Sequence, residues 1–217
     1  MRLFWSSRSP YVRKVMVAAH ELGLAEHLQC VRIRLPLEGS GAELLRLNPL
    51  GQIPTLALAD GRALYDSLVI CEYLDLLGSG PKLVPVLPME RIEVLQRHAL
   101  GQGLTDLAIR LMGERMRAPA LRSEIELQRR QVAIGRVLDE LETRAGTFAR
   151  LAPELGQVAI AAALAYLDFR LGELQWRHGR PVLGGWFETF ARRPSMVATA
   201  FVDDLAAAAP APAPAPR

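Results

Sequence analysis

Two short stretches of this 217-residue chain hold groups whose types and spacing suit the capture of a small peptide. One is Asn48-Pro49-Leu50-Gly51-Gln52-Ile53-Pro54-Thr55-Leu56, and the other is Asp66-Ser67. Pro54 has no N–H to give to a ladder, so it belongs at the first residue of a strand or on an edge. Ile53 then sits in a loop, with backbone groups that its own sheet does not take. Thr55 to Leu58 reads as a strand, Asp60-Gly61 as a tight hairpin signal, and Arg62 to Tyr65 as the returning strand. The hairpin brings Ile53 and Asp66-Ser67 to one end of two neighbouring strands. A peptide-like ligand laid there would pair with the backbone of Ile53. Its carboxylate would rest on the start of the helix that Asp66-Ser67 opens. The same pair has a plainer use, with Ser67 as an N-cap and Asp66 as an acid near a helix start.

The elements that must position these residues follow from the pattern around them. Arg2 to Trp5 reads as a strand and Ser6-Ser7-Arg8-Ser9 as a polar loop. Pro10 suits the first position of a helix capped by Ser9, which runs to Leu22 and stops at Gly23. Leu28 to Arg34 alternates as a strand, 36–41 is a loop, and Ala42 to Leu47 is a short helix. With the hairpin and a helix from Leu68 to Leu77, the order is β-α-β-α-β-β-α. The crossover makes the first two strands parallel and the hairpin pair antiparallel.

Gly78 to Pro88 reads as a linker, and no strand signal follows it. Arg91 to Arg117 and Ala120 to Ala145 read as long amphipathic helices separated at Pro119. Leu155 to Leu171 is apolar on nearly all sides, as a buried central helix would be. Trp186 to Arg192 reads as a short helix ending before Pro194, with Ser195 able to cap the next. The division expected is an α/β unit over 1–77, a linker over 78–88, an all-helical unit over 89–205 and an unpacked Ala/Pro tail over 206–217.

Asn-Pro-Leu-Gly-Gln-Ile-Pro-Thr-Leu, followed by Leu-Tyr-Asp-Ser-Leu-Val-Ile-Cys-Glu-Tyr-Leu, resembles the glutathione-binding half of the cytosolic glutathione S-transferases. The resemblance runs from Met1 to about residue 202, with its specific motifs in the first 80 residues. It implies a thioredoxin-like N-terminal domain, a helical bundle after it, glutathione as co-substrate and a homodimer. It also implies a cis Ile53–Pro54 bond, with Ile53 pairing to the cysteinyl unit. Asp66 and Ser67 would hold the γ-glutamyl ammonium and carboxylate, and Gln52 would reach the glycyl end.

Ser9-Pro10-Tyr11-Val12-Arg13-Lys14-Val15 is similar to the segment that carries the activating serine in the bacterial-type, serine-type members. A free thiol titrates near 8.5 and is mostly uncharged at pH 7. A hydroxyl donating to sulfur at a helix N-terminus favours the thiolate, each unit of lowering corresponding to about 1.4 kcal/mol. Ser9 would be that donor; the plainer reading makes it a helix cap, and Ser6 and Ser7 stand close enough to compete. The function implied is attack by the glutathione thiolate on a small hydrophobic electrophile. The alternatives are a non-catalytic binding or regulatory protein on the same fold, and a glutathione-dependent reductase or isomerase.

Other residues point elsewhere. Arg8 is a cation beside Ser9, placed to bias the site further toward thiolate. Asp106 lies on the side of the first long helix that borders the glutathione site in the family, and its plainer reading is a solvated helix charge. Glu154-Leu155-Gly156-Gln157 stands where the family has a Ser/Thr-x-x-Asp capping box. Glu154 is the poorer cap of the two, while Gln157 can reach back to a backbone N–H. Cys30 and Cys71 belong to no Cys-x-x-Cys pair and read as buried hydrophobes, and the four histidines have no metal spacing. A formal net charge of +3, from 26 basic and 23 acidic residues, and the lack of basic runs argue against nucleic acid. The longest apolar run, Val158 to Leu167, is half a membrane span, and two cysteines fit a cytoplasmic protein.

Overall fold

The computed structural model describes residues 1–33 and 40–203. Arg34 of the expected second strand, most of the 36–41 loop and the Ala/Pro tail lie outside the described residues. Four strands, β1 (Arg2–Trp5), β2 (Gln29–Arg32), β3 (Thr55–Ala57) and β4 (Ala63–Leu64), form one sheet in the order β2-β1-β3-β4. β1 runs parallel to β2 and antiparallel to β3, with Leu3 opposite Cys30 on one side and Leu56 on the other. Gly61, at φ 87°, makes the turn between β3 and β4 that a side chain would strain.

α1 (Pro10–Glu21), α2 (Ser40–Leu47) and α3 (Ser67–Leu77) complete the order read from the sequence. Leu3, Val15, Ala18, Leu56, Ile70 and Leu74 bury together between sheet and helices. Each of the leucine, isoleucine and valine side chains contributes about 1.5–3 kcal/mol on burial. The Asp66 carboxylate caps α3, where the sequence favoured Ser67: its Oδ1 accepts from Leu68 N–H at 3.1 Å and Val69 N–H at 3.5 Å. Ser67 is the first helical residue.

The stretch read as a linker is packed. Leu83 and Val84 are buried, Leu83 N–H donates to Asp75 Oδ1 at 2.6 Å, and Lys82 Nζ donates to the Gly78 carbonyl at 2.7 Å. The Leu83 carbonyl accepts from Leu155 N–H at 2.9 Å, which fixes the start of the central helix.

Helices α4 (Pro88–Arg115), α5 (Glu124–Phe148), α6 (Leu155–Arg170), α7 (Pro181–Ala191) and α8 (Pro194–Ala198) make up the rest. α6 is buried from Leu155 to Leu167, as its apolar surface requires. α7 begins five residues before Trp186, because Pro181 supplies the helix start. Glu154 does cap α6, accepting from Gln157 N–H at 3.0 Å and Gly156 N–H at 3.1 Å while pairing with Arg97 Nε at 3.1 Å. Arg97 offsets a charge whose burial pushes its pKa up. The Gln157 amide donates to the Phe148 carbonyl at 3.1 Å instead of to its own helix start. Ser195 caps nothing and donates to Glu21, which also takes Arg193 in a two-pronged pair at 2.8 and 2.7 Å. Cys30 is exposed on β2 rather than buried, since β2 is an edge strand; Cys71 is buried, and its thiol is pushed up to about 12. Among the described residues no helix is long and apolar enough to cross a membrane.

Candidate functional site

A cavity of about 690 Å³ lies between the sheet half and the helical half. Its lining includes every residue the sequence proposed: Ser9, Gln52, Ile53, Pro54, Asp66 and Ser67. The Ile53–Pro54 bond is cis, as expected. Among the described residues the backbone of Ile53 has no hydrogen-bond partner, so both its groups remain for a ligand.

Asn48 and Thr55, both buried, shape that loop. Asn48 Nδ2 donates to the Gln52 carbonyl at 3.1 Å and to Thr55 Oγ1 at 2.9 Å, and Thr55 Oγ1 donates to the same carbonyl at 2.8 Å. Asn48 Oδ1 accepts from Leu50 N–H at 3.0 Å, and Gly51 turns the chain at φ 61°. Asx turns of this kind are the ordinary use of Asn before a tight bend. At the other wall, Asp66 spends Oδ1 on capping α3, which leaves Oδ2 for a cation.

Ser9 stands at the start of α1, on the cavity wall. Its Oγ accepts from Val12 N–H at 3.3 Å and so caps α1. Capping uses a lone pair and leaves the hydroxyl proton to donate into the cavity, at the positive end of the helix. Ser6 also lines the cavity and accepts from Arg8 N–H at 3.3 Å. Ser7 is turned toward the far end of the chain: its Oγ donates to the Val202 carbonyl at 3.1 Å, and its carbonyl accepts from Val202 N–H at 3.3 Å. Arg8 is not a bare cation, since its Nε lies 3.4 Å from Asp203, which also pairs with Arg170 at 2.6 Å. Phe201 lies under the Arg13 guanidinium, 4.5 Å from its ring centre, and stacks on Phe169 at 4.9 Å.

Helices α4 and α6 supply residues that the sequence did not nominate: Gln102, Ile109, Arg110 and Tyr166. Tyr11, Arg32 and Asn48 join them from the sheet half. Asp106 belongs to this wall, half-buried and tied to α1 by a side-chain hydrogen bond rather than left as a solvated charge. Its Oδ1 accepts from the Tyr11 hydroxyl at 2.5 Å and from Gln102 Nε2 at 3.2 Å. Gln102 Oε1 in turn accepts from Lys14 Nζ at 2.6 Å, and Lys14 lies 2.9 Å from His98 Nε2. Lys14 and His98 are 2% and 4% exposed. Burial lowers the pKa of both, and His98 falls to about 3 with Lys14 beside it. Burial and the Asp106 bond together raise the Tyr11 phenol well above its ordinary value, so it stays protonated.

His98 leads to a pH prediction. An unfolded histidine takes up a proton near pH 6.5, whereas the folded one refuses it until about pH 3. Stability should therefore fall as pH drops through that window, by at most about 1.4 kcal/mol per unit. Urea melts at pH 7 and pH 5 should show His98→Gln losing about 1–2 kcal/mol less than the wild type. Equal losses would mean that the histidine is solvated.

Among the described residues no group of three His, Cys, Asp or Glu side chains is placed to hold a metal. The cavity thus brings together the backbone edge of Ile53, the Asp66 and Asp106 carboxylates, the starts of α1 and α3, and hydroxyls that include those of Ser6, Ser9 and Ser67. Residues 8–77 match the pattern described as Glutathione S-transferase, N-terminal domain, and 124–189 match Glutathione S-transferase, C-terminal domain. The chain is 34% identical over 202 residues to the uncharacterized GST-like protein YibF of Escherichia coli (strain K12), covering 92% of this chain and 98% of that one. It is 37% identical to a glutathione transferase family member from Pseudomonas fluorescens Pf-5 solved with bound glutathione, with a TM-score of 0.86 over 91% of this chain and 97% of that one. A second structure of that family member, with S-(propanoic acid)-glutathione, gives 0.84 over 92% and 98% at the same identity. This chain belongs to the glutathione S-transferase family.

Proposed function

We propose that the protein is a serine-type glutathione transferase that ionises the glutathione thiol for attack on a small electrophile. The observation that carries this reading is the single cavity that joins Ser9, Ile53, Asp66 and Ser67 to residues of α4 and α6. Ile53 pairs backbone to backbone with the cysteinyl unit. Asp66 Oδ2 takes the γ-glutamyl ammonium, the N–H and hydroxyl of Ser67 take its carboxylate as charge-assisted bonds, and Gln52 reaches the glycyl end. Ser9 donates to the sulfur, and the dipole of α1 adds to the effect. The electrophile enters from the α4–α6 side. The relative that holds glutathione, and its complex with a sulfur-substituted glutathione, support the ligand assignment.

The reading includes a homodimer. Val69, Leu76, Val86, Leu87, Met89 and Ile92 expose apolar side chains on α3, the segment after it and α4, the kind of surface a second copy covers. Light scattering should give twice the 23.9 kDa chain mass; a monomer at micromolar concentration would remove that part. For the ligand, thermal melts are decisive. Glutathione at a hundred times its dissociation constant should stabilise the fold by about 2.7 kcal/mol, and Asp66→Ala should lose most of that gain. A melting temperature indifferent to millimolar glutathione would end the reading.

A further inference from the structure

The wall beyond Ser9 carries donors that no protein group among the described residues takes up. Arg110, on α4, lines the cavity and forms no ion pair among the described residues. Tyr166, on the buried α6, is 8% exposed and turns into the same cavity, its hydroxyl without a partner among the described residues. The Arg8 Nε is buried without a hydrogen bond, at 3.4 Å from Asp203. Against these stands one carboxylate, Asp106, whose Oδ1 already accepts from Tyr11 and Gln102. Those two donors, with Lys14 behind Gln102, offset its charge. The Arg110 guanidinium is exposed and the Tyr166 hydroxyl faces the cavity, so both stand ready for a ligand that brings acceptors. A guanidinium and a phenol lining one cavity most readily match a carboxylate.

We propose, on the glutathione-transferase reading above, that the second substrate carries a carboxylate, received by the Arg110 guanidinium and the Tyr166 hydroxyl. Burial raises the Tyr166 pKa, which keeps the hydroxyl a donor. The apolar surface nearby, from Ile109 and Pro10, is enough for a short carbon chain between the sulfur and that carboxylate. The cation at the wall also lowers the cost of bringing an anion next to a thiolate.

Two sulfur-linked conjugates of equal shape test this without requiring turnover: S-(2-carboxyethyl)glutathione and S-(2-carbamoylethyl)glutathione. Calorimetry on the wild type should give the carboxylate at least about tenfold tighter binding, the range of one charge-assisted bond. The preference should shrink in high salt, because Arg110 faces solvent. Arg110→Met should bring the two conjugates within about threefold of each other while binding glutathione as before, Arg110→Lys should restore part of the difference, and Tyr166→Phe should reduce it. Equal affinities in the wild type, or a preference that survives Arg110→Met, would overturn the proposal while glutathione binding stood. If glutathione and both conjugates all fail to bind, the transferase reading falls and takes this inference with it.

Discussion

Ser9→Ala should lower kcat by about ten- to a thousandfold while glutathione binding changes little. The range is that for loss of one donor aimed at developing or stabilised negative charge. On the proposed reading binding survives, because the charged ends of the ligand would be held at Asp66, Ser67 and Gln52 and not at Ser9. The ultraviolet absorbance of the bound thiolate should titrate at higher pH in the variant. A confounder is built into the site, since the same Oγ caps α1 through Val12 at 3.3 Å and a lost cap costs about 1 kcal/mol. Ser9→Gly separates the two roles, because glycine caps nearly as well and has no hydroxyl. Recovery of activity in the glycine variant would reassign Ser9 as a cap and move the chemistry to Ser6 or to backbone amides. Ser7 is a weaker substitute than Ser6, with its hydroxyl given to Val202. Full activity and an unshifted titration in both variants would remove Ser9 from the mechanism.

The second large effect is structural. Where α4 crosses α6, a Cβ added to Gly101 would lie 2.5 Å from Ile160 N, 2.6 Å from the Ala159 carbonyl carbon and 2.9 Å from its Cβ. Two of those atoms are backbone and cannot swing aside. Alanine normally improves a helix interior by up to about 1 kcal/mol over glycine, so the clash has to overcome that gain first. Gly101→Ala should still destabilise by about 1–3 kcal/mol net, lowering the melting temperature by several degrees in a chain of this size. Gly103→Ala is the control, since nothing lies within 4 Å of its added Cβ and the propensity gain should appear alone. Should the two variants melt together, the helices must separate at no cost and the crossing is looser than it looks. The site would feel the change too, because Gln102 is the next residue and carries Lys14 on one side and Asp106 on the other.

How far these features could be read in advance depended on how local their chemistry is. Pro54, Gly51, Asp60-Gly61 and the Ser9-Pro10 start announce turns and caps through backbone restrictions that act within a few residues. They therefore mark the order of elements and the cavity wall that carries Ser9, Ile53 and Asp66. Asp106, Gln102, Arg110 and Tyr166 sit on long helices about 90 or more positions from Ser9, and nothing in their own neighbourhoods marks them. Lys14 would pass for a surface charge until α4 covers it and supplies Gln102 as its acceptor. Glu154 misled for the same reason. Capping preferences rank it low, yet Arg97, 57 residues away, holds its carboxylate where two backbone N–H groups need it. The packed 78–88 stretch looked like a spacer because Gly and Pro mark where a chain turns and not whether the turn is buried.

The clasp between Ser7-Arg8 and Val202-Asp203 bears on how the protein is made. A ribosome releases the chain from its N-terminus, so Ser9, Ile53 and Asp66 emerge long before Asp203. Sheet and α1–α3 have the local contacts to assemble early, but the loop that leads into Ser9 gains its remaining ties to the chain almost 200 residues later. A growing chain can thus assemble the cavity wall that carries Ile53 and Asp66 while the segment that ties down the Ser6–Ser9 loop is still inside the tunnel. The clasp ties the completion of the loop before α1 to the last described residues of the chain.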